Sequence, residues 1–173
     1  FYKEARGRGI KPIIGIEAYV APDSRHKKAD SRSNNYYHLT LLAKDEAGYR
    51  NLLQLSTRSH LEGFYYKPRM DKELLAEYGK GIIALSGCPS GEMFKLLNED
   101  RDDEAQQLAG FCSDAFDGFY LEVMQHDEPD INAQCAKAYA GLAKLSKKMK
   151  IPLVATNDSH YTAPDDHSIH DVL

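Results

Sequence analysis

The stretch Ile151-Pro152-Leu153-Val154-Ala155, followed one residue later by Asn157-Asp158-Ser159-His160-Tyr161, reads as a buried strand ending in a carboxylate and an imidazole. Alternate side chains of an extended segment share a face, so Asp158 and His160 are expected to point the same way, toward one ion. A second acidic residue, Glu17, ends another apolar run, Lys11-Pro12-Ile13-Ile14-Gly15-Ile16. Oxygen and imidazole ligands gathered at strand ends suit zinc, manganese or iron and point to metal-assisted hydrolysis. A lone Asp-x-His is equally at home in a hydrogen-bonded loop, so the remaining strands decide the matter.

Working outward, apolar strand patterns alternate with helical ones. Strands are predicted at Lys11 to Val20, Tyr37 to Ala43, Gly81 to Ser86, Phe119 to Met124 and from Ile151. Helices are predicted at Asp45 to Leu61, with Asp45 as N-cap, at Lys72 to Tyr78, Glu92 to Leu97, Asp103 to Phe116 and Pro129 to Lys150. Near-continuously apolar strands separated by helices imply an α/β fold whose strands are mostly parallel, either a doubly wound sheet or a barrel. Residues 21–35 are polar and hold no crossover helix, so the first two strands read as one antiparallel hairpin. That pairing brings His38 close to Glu17. In either architecture active residues gather at the carboxyl ends of strands, where Glu17, Cys88, His126, Asp158 and His160 all fall.

A chain of 173 residues with 42% hydrophobic and 28% charged residues reads as one soluble domain, 1–173. No apolar run spans a bilayer, so no membrane partner is expected, and three scattered cysteines argue for a reducing, cytoplasmic setting. The net charge of −4 excludes a strongly basic nucleic-acid clamp made by this segment alone. Phe1 to Arg6 reads as the last turns of a helix and Asp165 to Leu173 as a helix beginning, so both ends are expected to be cut from a longer polypeptide.

Cys88, after Ser86-Gly87, can direct a thiolate at a metal, although a buried inert thiol is the commoner fate. Cys112 and Cys135 fall in helical patterns and read as packing residues. His126 can serve as ligand, general acid or phosphate contact. His167 and His170 read as surface or packing residues. Lys67 and Arg69, beside Tyr65 and Tyr66, form a basic–aromatic loop able to stack bases or hold a DNA phosphate.

Five ordered segments then carry a resemblance: Gly15-Ile16-Glu17-Ala18-Tyr19, Tyr37 through Lys44, Gly48 through Leu52, Leu85-Ser86-Gly87-Cys88 and Asn157 through Tyr161. Together they resemble the polymerase and histidinol phosphatase (PHP) domain at the amino end of bacterial DNA polymerase III alpha subunits. The loop Glu62 through Arg69 is similar to the version in those subunits. The resemblance implies a distorted (β/α) barrel, here partial, with up to three divalent metal ions at one mouth, zinc foremost and manganese or iron as alternatives. It assigns Glu17, His38, Cys88, Asp158 and His160 as ligands. A His-x-His and a Thr-Asp-His-Gly motif of the family lie upstream of Phe1, and the polymerase carboxylates lie downstream of Leu173, so the chain alone is expected to be inactive.

The resemblance further implies a parent that synthesises DNA and uses this domain as a metal-dependent 3′–5′ exonuclease acting on a DNA 3′ end. Its partners there would be the rest of the alpha chain, a proofreading subunit and a sliding clamp. The competing readings are a non-catalytic, metal-stabilised scaffold that docks the polymerase and the proofreading subunit, and a phosphoesterase like histidinol phosphatase.

Overall fold

Among the described residues seven short strands form the frame, and aspartate caps mark where two of the helices start. The computed structural model describes residues 1–28, 36–124 and 129–172. After a short helix α1 (Tyr2–Gly7) come β1 (Gly15–Val20) and β2 (Tyr37–Ala43). Helix α2 (Glu46–Leu61) begins at Asp45, whose carboxylate accepts the Gly48 N–H at 2.9 Å. A hairpin of β3 (Phe64–Tyr65) and β4 (Lys67–Met70) precedes α3 (Lys72–Tyr78), capped in the same way by Asp71 accepting the Leu74 N–H at 3.0 Å. Then follow β5 (Ile82–Leu85), α4 (Glu92–Asn98), α5 (Asp102–Ala115), β6 (Gly118–Met124), α6 (Pro129–Met149) and β7 (Leu153–Thr156). A 3-10 turn (Pro164–Asp166) and α7 (His167–His170) complete the described elements.

The strands lie in the order β3-β4-β1-β2-β5-β6-β7. Five run in one direction, and β2 and β3 run against them. The α/β class, the mostly parallel direction and the β1–β2 antiparallel hairpin follow the expectation. The sheet is open: β3 and β7 are its edges, as a partial, distorted barrel would have. Two details differ. Lys11 to Ile14 lies outside β1, and Glu62 to Asp71, expected as loop, contains the β3–β4 hairpin with Tyr66 at φ 60° between its strands.

The core lies between the sheet and its helices. Leu41, Ile82, Ala84 and Leu121 from β2, β5 and β6 are wholly buried, facing Leu52 and Leu55 of α2, Leu74 of α3 and Ala105 and Ala109 of α5. Gly48 and Gly81 permit the closest helix–sheet approach, since a Cβ on Gly48 would stand 1.7 Å from the Gly81 carbonyl oxygen.

An ion-pair network fastens the segment after β1. Arg25 donates to Asp71 at 2.7 Å and to Glu62 at 2.8 Å, and its own backbone N–H also reaches Asp71. Burial pushes the Asp71 carboxyl up, but the Arg25 and Leu74 amides and the guanidinium outweigh it and hold the group below its ordinary 3.8. Glu62 is lowered chiefly by its hydrogen bond to Arg25. A depressed carboxyl contributes stability in full above its unfolded pKa and loses it as pH falls through the folded value. Urea midpoints are therefore expected to hold steady between about pH 7 and 5 and to drop below about pH 4. A flat profile down to about pH 2 would contradict this.

Candidate metal centre

The antiparallel register of β1 and β2 sets Glu17 opposite Thr40 and Tyr19 opposite His38, placing Glu17 and His38 on one face diagonally across the pair. Nδ1 of His38 stands 2.8 Å from Oε1 of Glu17 and 3.3 Å from Sγ of Cys88. Cys88 arrives there because β5 is followed by Ser86-Gly87, and Gly87 turns the chain at φ +91°. A Cβ on Gly87 would lie 2.6 Å from the carbonyl oxygen of His38, so only glycine lets the turn sit against β2. One ligand atom from each of Glu17, His38 and Cys88 lies within 4.8 Å of the other two. Oxygen, nitrogen and sulfur in one group match the donor chemistry of a zinc site, so the residues present fit a divalent metal. Gly87→Ala is expected to destabilise the fold by about 1–3 kcal/mol and to weaken zinc retention, read by urea titration and by metal analysis after dialysis. Unchanged zinc retention would show that the turn does not set the site.

Burial pushes the Cys88 thiol up, and the charges of Glu17 and Asp158 add to it. Asp158 therefore lies within electrostatic reach of the triad although it is not a member of it. Its backbone is left-handed, φ +52°, where an extended segment was expected. The short polar side chain of an Asp tolerates that conformation. His160 consequently directs Nδ1 at the Asp158 carbonyl, 2.7 Å away, with the Asp158 carboxylate at 3.9 Å. The ring of His170, expected as a surface or packing residue, lies edge-on to His160 at 5.5 Å between centroids.

Around the triad, the Tyr36 ring stacks parallel to His38 and Tyr19 meets both edge-on. Lys67 is exposed, with Nζ 5.4 Å from the centre of the Tyr19 ring, so its charge stands beside the site. Arg69 is placed otherwise. It is 2% exposed, and its guanidinium donates to the backbone carbonyls of Gly63, Arg25 and Lys27. This corrects the expected DNA contact: Arg69 braces the hairpin from within and has no surface to offer a phosphate. His126 lies outside the described residues. Cys112 and Cys135 are buried packing residues, and burial drives the Cys112 thiol up to about 12. A cleft of about 490 Å³ opens beside His38, its wall including Tyr36, Ser90, Lys95 and Asn98.

Sequence reasoning passed over Glu122. It is 3% exposed on β6, and burial pushes its carboxyl up against three hydrogen bonds that lower it. The available signal was a single charge inside the apolar run Phe119 to Met124.

The PHP domain profile matches residues 1–126. The chain belongs to the PHP domain family. It is 44% identical, over its whole length, to DNA polymerase III subunit alpha of Thermus aquaticus and 45% identical to that of Saccharopolyspora erythraea. The corresponding subunit of Aquifex aeolicus is 40% identical. The chain spans 14%, 16% and 15% of the lengths of these three relatives. This PHP domain is thus of the kind carried by DNA polymerase III alpha subunits. Among the described residues, no helix is long and apolar enough to cross a membrane.

Proposed function

We propose that this PHP domain forms part of a metal-dependent 3′–5′ exonuclease site within a cytoplasmic DNA polymerase III alpha subunit. The observation that carries the reading is the convergence of Glu17, His38 and Cys88, from β1, β2 and the turn after β5, on one small volume. Divalent ions bound there supply Lewis acidity and a water nucleophile usable near neutral pH. Glu17, His38 and Cys88 would hold such an ion, and Asp158 and His160, which follow β7, would add to the ligand set. These residues would form part of a ligand set to which other segments of the alpha subunit contribute.

The cleft beside His38 is of the size that small-ligand sites take, and would seat the terminal nucleotide of a DNA 3′ end. Lys95 in its wall is exposed, and exposed Lys67 lies against the Tyr19 ring; both are candidates to meet backbone phosphates. Tyr36 offers a ring for base stacking.

The test uses the full-length alpha subunit, free of partner subunits, with metal content measured alongside release of nucleotides from a labelled 3′ end. Stoichiometric metal with metal-dependent release supports the proposal. Stoichiometric metal without release overturns the catalytic part and leaves a metal-stabilised scaffold.

A further inference from the structure

Glu122 is buried, polar and outside the proposed ligand set, yet its carboxylate touches residues adjoining most of that set. Oε1 accepts from the Thr156 hydroxyl at 2.7 Å, and Oε2 accepts from the Gly87 N–H at 3.2 Å and the Thr40 hydroxyl at 3.4 Å. Thr40 is the register partner of Glu17 and stands two residues from His38. Gly87 immediately precedes Cys88, and Thr156 lies two residues before Asp158. The Glu122 backbone N–H adds a fourth tie, donating to Oγ of the buried Ser86 at 2.8 Å. One side chain thus joins β2, the turn after β5 and the end of β7, which carry four of the five proposed ligands and the strand paired with the fifth.

We propose that Glu122 is a positioning residue that fixes the Gly87–Cys88 turn and the start of the Asp158 segment relative to His38, and so sets metal affinity. The inference rests on the metal-site reading above. A buried carboxyl in a sheet is costly unless its partners are supplied, and here three donors converge on it from separate elements. Outer-shell hydrogen bonds of this kind typically govern metal affinity by about 10–100-fold.

Two variants in the full-length subunit test it. Glu122→Gln keeps an oxygen to accept from Gly87 and Thr40 and an amide that donates to the Thr156 hydroxyl. Glu122→Leu keeps the bulk and accepts nothing. Zinc titration by calorimetry is expected to show affinity about 10–100-fold weaker in E122L and within about threefold of the parent in E122Q. Iodoacetamide labelling of Cys88 in excess chelator, followed by peptide mass mapping, reads the turn with no metal present. Labelling is expected to quicken about tenfold in E122L and to stay at the parental rate in E122Q.

Parental zinc affinity in E122L, parental Cys88 labelling in E122L, or an E122Q as impaired as E122L would each overturn the proposal. A parent that binds no zinc would sink the metal-site reading instead, and the labelling comparison would still decide the role of Glu122. If E122L does not fold, Thr156→Val removes the shortest of the three bonds while keeping the carboxyl. It is expected to shift both readouts in the same direction, and parental values for it would overturn the proposal.

Discussion

In the full-length subunit, Asp158→Asn is expected to cut metal-dependent release of nucleotides from a DNA 3′ end by at least about a hundredfold, with nucleotide addition unchanged. The substitution keeps the shape of the side chain and its tolerance of the left-handed backbone, φ +52°, so the fold has no reason to change. It removes one negative charge, and with it the repulsion by which Asp158 helps push the Cys88 and Glu122 acids up. An amide oxygen is a far weaker partner for a divalent ion than a carboxylate. Metal content is expected to fall in parallel with hydrolysis. Nucleotide release at the parental rate would remove Asp158 from the site.

Asp71→Ala is expected to have the largest effect on stability, a loss of about 3–5 kcal/mol measured by urea unfolding. Asp71 and Arg25 are both buried, and the alanine leaves the guanidinium with only Glu62 close by and Glu73 at 3.6 Å. Breaking a buried pair by removing one partner costs more than the pair itself contributes, because the surviving charge is stranded away from water. The same substitution removes the cap of α3, about a further 1 kcal/mol when the two effects are independent. Against a total stability of about 5–15 kcal/mol for a domain, such a loss removes a large share of the stability and, at the low end of that range, unfolds a substantial fraction of the protein. A loss below about 1 kcal/mol would mean that water or a rearranged Glu62 replaces the carboxylate.

The fold was legible where one period dominates. Tyr37–Ala43, rich in apolar residues and free of Gly and Pro, is β2 with the expected ends, and Asp45 marks the start of α2 by its capping chemistry. The polar stretch after Val20 announced a hairpin, and the hairpin placed His38 beside Glu17. The β3–β4 hairpin was not legible, because strands of two and four residues, one containing Pro68, are too short to show a period. Arg69 misled because a long cation is ordinarily a surface group, and nothing in its neighbours announces three backbone carbonyls waiting inside. Asp158 and His160 stood out by their spacing, but the left-handed backbone at Asp158 could not be read from the residues alone. Glu122 went unnoticed because a charge within a strand gains meaning only once the donors from Thr40, Gly87 and Thr156 are seen around it.

The contact between His38 and Cys88 joins positions 50 apart in the chain, one on β2 and the other in the turn after β5. Any cation that settles between them becomes a thermodynamic clip, binding the folded chain and having little hold on the unfolded one. Its contribution grows as RT ln(1 + [L]/Kd), about 2.7 kcal/mol at a hundredfold excess over Kd. The melting temperature of this domain then becomes a gauge of free metal supply, and scarcity of that metal is expected to register as faster turnover of the protein.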